Sequence, residues 1–392
     1  MRGLILEGGG GKGAFHIGAL KALYEAGYDF DFVAGTSIGA MNGALIAQND
    51  FDVAVDWWEK LDTDKLFTFG EGEKSTASLF GGALRSIVFD GGLDTSKIRE
   101  ILCEIINEDR LRASKIDFGM ITISLTRRRP LELFKEDIPK GKLVDYLMAS
   151  GNLPVFKSEP LDGEKFLDGS FYDNCPVNLA LKRGCREVVV IRTYTMRPIK
   201  SYPKDGLSEL IIKPDANLGT VLDFSRSTLK QNMCAGYCEA KRAMGLLRGE
   251  TYFLDVKDNS LLFNALAALP DETAAQLASA FGFTMSDPKR TLFEIMIPEA
   301  ARMLGVSSAT YGDILISLME HEAKKRGVPR FTVYGARAFA REVWIRRDVI
   351  SYGFVTNNIM SPTGTMLQSK ERFLSTLCDV FVNSLSEGEA PK

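Results

Sequence analysis

The chain has 392 residues, of which 45% are hydrophobic and 25% charged, and 48 basic against 51 acidic side chains give a formal net charge of −3. This composition excludes a disordered chain and gives no global attraction to nucleic acid, while the length suits two domains better than one. No apolar run approaches the roughly eighteen residues of a membrane span, so no transmembrane segment is expected.

Gly3 to Glu7 predicts a short buried strand, followed by Gly8-Gly9-Gly10-Gly11-Lys12-Gly13 and a helix from Ala14 to Ala26 that Gly27 ends. A strand, glycine loop and helix form an anion site, because free backbone N–H groups and the helix N-terminus face one point. Three readings compete for it. Gly8, Gly10 and Gly13 satisfy the dinucleotide spacing, but Asp29 and Asp31 precede the second strand where an acidic residue should end it. A Walker-type loop would need Ser or Thr where Gly13 stands and glycine where Leu6 stands. An oxyanion hole uses the same exposed N–H groups to hold the charged oxygen of a tetrahedral intermediate.

Phe30 to Ala34 is the next expected strand, and Ile38 to Ala47 the helix after it. Between them Gly35-Thr36-Ser37-Ile38-Gly39 sets a serine on the G-x-S-x-G spacing, in the strand–turn–helix context of a nucleophile elbow. Asn49 to Leu61 continues as helix. Thr63 to Gly92 mixes glycines with Phe67, Phe69, Phe80 and Phe89, which suits either a flap over an apolar pocket or a surface excursion. Asp94 or Thr95 caps a helix through Ile105. Strands Phe118 to Leu125 and Leu131 to Phe134 flank the turn Arg127-Arg128-Arg129-Pro130, whose arginines are either solvated or in contact with a phosphate head group.

Leu143 to Ser150 predicts a short helix and Gly151 to Phe156 a loop. The strand Phe166-Leu167-Asp168 then ends in Gly169-Ser170, delivering a carboxylate onto a tight turn. A helix after Pro176-Val177 and the buried strand Glu187 to Arg192 complete an alternation that means α/β, with a mostly parallel central sheet flanked by helices. Glu209 to Lys213 and Thr251 to Val256 read as strands around a helical stretch from Leu218 to Leu247. From Asn259 onward the pattern is helical, including Asp271 to Phe281, Thr310 to Arg326 and Ala336 to Ile350. The expected division is an α/β domain over 1–257 and an α-helical unit over 258–392. In that unit Phe339, Val343 and Ile350 share one side of a helix, with Arg341 and Arg346 elsewhere, for docking on an anionic lipid surface or packing on the first domain.

The chain moves from Met1 straight into a strand, which leaves no room for a secretory signal, and six irregularly spaced cysteines make no disulfide framework. A cytoplasmic enzyme, peripheral at a membrane surface, is the expectation.

Taken in order, the glycine loop with Lys12, the elbow Gly35 to Gly39, Gly92-Leu93-Asp94-Thr95, the Ala149-Ser150 to Pro154 and Phe156 segment, and Asp168-Gly169 with Asn174 and Pro176-Val177 resemble the patatin-like phospholipase family. The resemblance implies a three-layer α/β fold and a Ser-Asp dyad without histidine. It implies Ser37 as nucleophile, Asp168 as base, and Gly9, Gly10 and Gly11 as oxyanion donors, with Gly35, Gly39 and Gly169 supporting the turns. Lys12 stands where arginine is commoner and Ser170 where Gly or Ala is, departures that bear on substrate preference. Lys12, Arg127, Arg128 and Arg129 are candidate head-group contacts.

The scarcity of histidine agrees with this. The chain has two, and a triad would demand His321, on a helix outside the sheet, because His16 lies on the first helix. The implied activity is hydrolysis of fatty-acyl esters through an acyl-enzyme, of the phospholipase A, lysophospholipase or esterase type. It requires no metal and no cofactor, takes a lipid or ester substrate, and involves no nucleic acid. The alternatives are a nucleotide-dependent oxidoreductase built on the glycine loop and a catalytically silent scaffold.

Overall fold

The computed structural model describes residues 1–66, 92–157, 160–283, 287–307, 310–347 and 366–386. The expected flap therefore lies mostly outside the described residues, as does Ile350. The chain forms two compact units, Met1–Met244 and Gly245–Lys392.

In the first unit, seven strands form one sheet: Arg2–Leu6 (β1), Phe32–Thr36 (β2), Asp117–Ser124 (β3), Arg129–Phe134 (β4), Phe166–Asp168 (β5), Glu187–Ile191 (β6) and Ser208–Ile212 (β7), in the order β4-β3-β2-β1-β6-β7 with β5 also on β3. The pairs β1–β2, β1–β6, β2–β3 and β6–β7 are parallel, and β4 and β5 run antiparallel to β3. The central strands are continuous apolar runs because both their faces are covered, as parallel sheets require. On one face Phe32, Ala34, Ile121 and Val190 pack with Leu179 and Ala180. On the other, Phe118 and Met120 pack with Ala44, Leu45, Trp58 and Leu147. The helices Ala14–Glu25 (α1) and Ile38–Ala47 (α2) each follow a parallel strand, which puts the glycine loop and the elbow side by side at the C-terminal ends of β1 and β2.

The long helix of this unit is shorter than its apolar pattern predicts. It spans Arg226–Ala243, and Leu218 to Phe224 are not helical. Backbone in that stretch closes over the glycine loop: a Cβ on Gly10 would lie 1.9 Å from Val221 O, and one on Gly11 2.1 Å from Asp223 O.

The second unit is mostly helical, with a two-stranded parallel sheet of Phe253–Asp255 (β8) and Val333–Gly335 (β9). The segment expected to be a strand of the first domain thus finds its partner in the second unit. Phe339 and Val343 are buried in this unit's own core with Leu315, Leu377 and Phe381. The apolar side of the helix Ala336–Ile345 is therefore occupied and not free to meet lipid. Its helices Tyr311–Lys325 and Met366–Ser386 are joined through ion pairs, with Arg326 Nη2 2.8 Å from Glu322 Oε2 and Nη1 2.8 Å from Asp379 Oδ1. Among the described residues no helix is long and apolar enough to cross a membrane.

Candidate functional site

Ser37 follows β2 with φ 57° and ψ −127°, a conformation that a non-glycine residue holds only when its surroundings enforce it. The enforcement is visible on both sides. Its N–H donates to Ser150 Oγ at 2.9 Å, and the buried Ser150 hydroxyl in turn donates to Ile121 O at 2.7 Å. Its carbonyl accepts from the N–H groups of Ala40 at 2.9 Å and Met41 at 3.2 Å, the first turn of α2. Gly35 and Gly39 serve here through lack of bulk: a Cβ on Gly35 would lie 2.2 Å from Gly39 carbonyl atoms, and one on Gly39 2.2 Å from Leu6 O. The elbow is packed directly against β1.

Strand register brings the carboxylate to the serine. Thr36 pairs with Ile121 across β2–β3, and the next residue, Thr122, pairs with Asp168 across β3–β5. Asp168 is fully buried. Its Oδ1 accepts the Ser170 N–H at 2.7 Å, and its own N–H donates to Asn152 O at 2.9 Å. Oδ2 is buried with no partner in hydrogen-bonding geometry, although the Ser37 hydroxyl lies near enough to draw the carboxyl's pKa down. Burial outweighs this and the Ser170 contacts, so the net shift is upward from the usual carboxylate range. A desolvated carboxylate with one open oxygen beside a serine hydroxyl is chemically a proton acceptor for it.

The glycine loop is anchored from below by Glu7, wholly buried at the end of β1. Its Oε2 accepts from Arg192 Nε at 2.8 Å, Thr193 N at 2.7 Å and Tyr194 N at 3.2 Å. Asn174 Nδ2 bridges Glu7 Oε1 at 3.2 Å and Gly8 O at 3.3 Å. In the loop Gly10 takes φ 56°, a region open to glycine. The Gly11 N–H, counted among the expected oxyanion donors, donates instead to Val221 O at 2.9 Å. Among the described residues the N–H groups of Gly9 and Gly10 have no such partner, and Gly10 lines one cavity with Ser37. Lys12 is half-buried, and desolvation lowers its pKa against the raising influence of Glu7.

An apolar cavity opens at the elbow, lined by Gly10, Ser37, Met41, Trp57, Ile98 and Phe224 among others. The three arginines of the β3–β4 turn do not line it. Arg127 Nε donates to Glu164 at 2.7 Å, Arg128 holds the turn at φ 54°, and Arg129 begins β4. His16 is fully buried, its Nδ1 3.2 Å from Asn42 Nδ2, and burial pushes its pKa down to about 3. His321 belongs to the second unit, where its Nε2 lies 3.2 Å from Glu371 Oε2.

Residues 4–181 match the family described as Patatin-like phospholipase. These residues form a patatin-like phospholipase domain. Patatin-like phospholipase domain-containing protein 6 from Homo sapiens is 29% identical over 196 residues, covering 48% of this chain and 13% of that protein. Lysophospholipase NTE1 from Mycosarcoma maydis is 28% identical over 194 residues, covering 48% of this chain and 9% of that protein. The chain thus spans a small part of the curated relatives it matches. The crystal structure of VipD from Legionella pneumophila aligns over 99% of this chain and 85% of that one at 15% identity and a TM-score of 0.41, a likeness too distant to bear on fold or activity.

Within the patatin-like domain, the residues that sequence reasoning singled out at the elbow, the loop and the β5 turn converge, whereas the arginine turn does not join them. The sequence alone marks no separate role for Ser150 or Asn152. A serine at the end of a short helix carries no local mark of holding an elbow, and its partners lie 29 and 113 residues away in sequence.

Proposed function

We propose that the patatin-like domain hydrolyses fatty-acyl esters of lipids through Ser37 and Asp168. The observation that carries the reading is a strained elbow serine beside a buried carboxylate with one open oxygen, at the mouth of an apolar cavity. The Ser37 oxygen attacks the ester carbonyl and its proton passes to Asp168 Oδ2. The oxyanion is held by the N–H groups of Gly9 and Gly10, each worth about 2.7–4 kcal/mol in the transition state. Asp168 returns the proton to the departing alcohol, then takes one from the water that attacks the acyl-enzyme and passes it to the Ser37 oxygen as the fatty acid leaves. The name of the fungal relative, a lysophospholipase, fits a single-chain lipid as substrate.

A fluorophosphonate probe tests the assignment. Wild-type protein is expected to be labelled at Ser37, and Ser37→Ala to take up no label; persistent labelling of that variant excludes Ser37 as the nucleophile. The base is active only when ionised, and burial raises its pKa, so the acidic limb of kcat/KM against pH is expected above the usual carboxylate range. A limb within the ordinary Asp range would count against Asp168 as the base.

Ser150 acts through Ser37. Ser150→Ala removes the acceptor of the Ser37 N–H and the donor to Ile121 O, which is expected to destabilise the fold by about 1–3 kcal/mol. The labelling rate of Ser37 should fall with it, and Ser150→Thr, which keeps the hydroxyl, should recover part of both. Unchanged urea unfolding and labelling in Ser150→Ala would remove Ser150 from this role.

A further inference from the structure

The peptide between Gly8 and Gly9 is gripped by two residues that do not line the cavity at Ser37. Its carbonyl oxygen accepts the Thr193 hydroxyl at 2.6 Å and Asn174 Nδ2 at 3.3 Å. The described residues contain no cis peptide bond, so the N–H of this peptide, carried by Gly9, points opposite to that carbonyl. Whatever fixes the Gly8 carbonyl therefore aims the Gly9 N–H.

The Thr193 hydroxyl is set in turn by Glu7. Thr193 lies just past β6 and is buried. Its N–H donates to Glu7 Oε2 at 2.7 Å, and the same oxygen takes Arg192 Nε at 2.8 Å and the Tyr194 N–H at 3.2 Å. Three donors on one oxygen hold the chain from Arg192 to Tyr194, and Tyr194 keeps φ 50° there, a region that a non-glycine residue occupies only when its surroundings enforce it. Arg192 balances the charge of the buried carboxylate. The grip leaves little slack, since a Cβ on Gly9 would lie 2.8 Å from Thr193 Oγ1. Residues 185 positions apart meet in this way because β1 and β6 are parallel neighbours, with Leu6 opposite Ile191.

We propose that Thr193, clamped by Glu7, is a positioning residue for the oxyanion donor at Gly9. Glu7 places Thr193, Thr193 places the Gly8 carbonyl, and the peptide plane presents its N–H on the opposite side. The proposal rests on the hydrolase reading. A donor aimed at the tetrahedral oxygen acts once charge has developed there, so misaiming it lowers kcat and kcat/KM together and leaves KM alone.

The test compares full-chain wild type, Thr193→Val and Thr193→Ser on p-nitrophenyl butyrate, with decyl trifluoromethyl ketone as inhibitor. That ketone adds the Ser37 oxygen reversibly and so carries a charged tetrahedral oxygen. Thr193→Val keeps the shape and removes the hydroxyl; it is expected to lower kcat by about 10- to 100-fold at unchanged KM, and to weaken the ketone by a similar factor. Thr193→Ser keeps the hydroxyl and should recover most of both. Glu7→Gln, which takes an acceptor from this network, should lower kcat in the same direction, and it carries the test if Thr193→Val does not fold. Combined with Thr193→Val it should add little, because the two act in series on one peptide. Wild-type kcat and ketone affinity in Thr193→Val, a loss that Thr193→Ser does not recover, or a change in KM alone overturns the proposal while leaving the hydrolase reading standing. Wild-type protein that neither turns over the ester nor takes up the fluorophosphonate would overturn that reading, and this proposal with it.

Discussion

Asp168→Asn is expected to lower ester hydrolysis by about 10⁴-fold or more while raising the melting temperature at neutral pH. The loss follows because an amide does not accept the Ser37 proton in either half of the reaction. The gain follows from the carboxylate's surroundings: it is fully buried, Oδ2 lacks a partner, and desolvation raises its pKa. A carboxyl that binds its proton more tightly folded than unfolded makes ionisation destabilising. That penalty is absent below the unfolded pKa and complete above the folded one. The neutral amide removes it, and its oxygen still accepts the Ser170 N–H. The difference in melting temperature between wild type and Asp168→Asn should therefore shrink as pH falls through the raised pKa. Retained hydrolysis would displace Asp168 as the base, and an Asn variant less stable at neutral pH would show that the carboxylate is held in place by more than these contacts.

Arg326→Ala is expected to destabilise the second unit by about 3–5 kcal/mol, the usual result of breaking a buried ion pair from one side. The Arg326 side chain is 8% exposed, and those of Glu322 and Asp379 are 1% and 5% exposed. Its guanidinium also donates to Val343 O at 2.9 Å, tying the helix that holds Phe339 to the same network. Without it, Asp379 is left as a buried carboxylate, while Glu322 keeps Lys325 at 3.3 Å and the Ser375 hydroxyl at 2.8 Å. Adding Asp379→Asn to Arg326→Ala should recover part of the loss, because the uncompensated charge is then gone. Urea unfolding followed by far-UV circular dichroism measures both; a shift below about 1 kcal/mol would mean that the network behaves as an exposed one.

Elements whose pattern is local were legible before any coordinates. The β1 strand, the α2 helix at Ile38–Ala47 and the Leu143–Ser150 helix fall where contiguous apolar runs and turn residues set them. Patterns of equal strength misled where tertiary contact decided the outcome. Leu218 to Phe224 is as apolar as a helix, yet Val221 and Leu222 turn to the cavity and their backbone seals the glycine loop. The Ala336–Ile345 helix looked amphipathic enough for a lipid surface, but its apolar side had a core to enter.

The same division runs through the site. A serine at a strand-to-helix turn, with a glycine loop before it, is readable from the residues alone, because both are written in the sterics of a few consecutive positions. Its glycines said nothing of which N–H groups would stay free; that followed from Val221 O, two hundred residues downstream in order of magnitude, claiming Gly11. Which carboxylate faces Ser37, and which hydroxyl holds its backbone, were decided by the rungs Thr36–Ile121 and Thr122–Asp168. A one-residue slip in either register would turn Asp168 to the other face of the sheet, and register is set by packing across strands far apart in the chain.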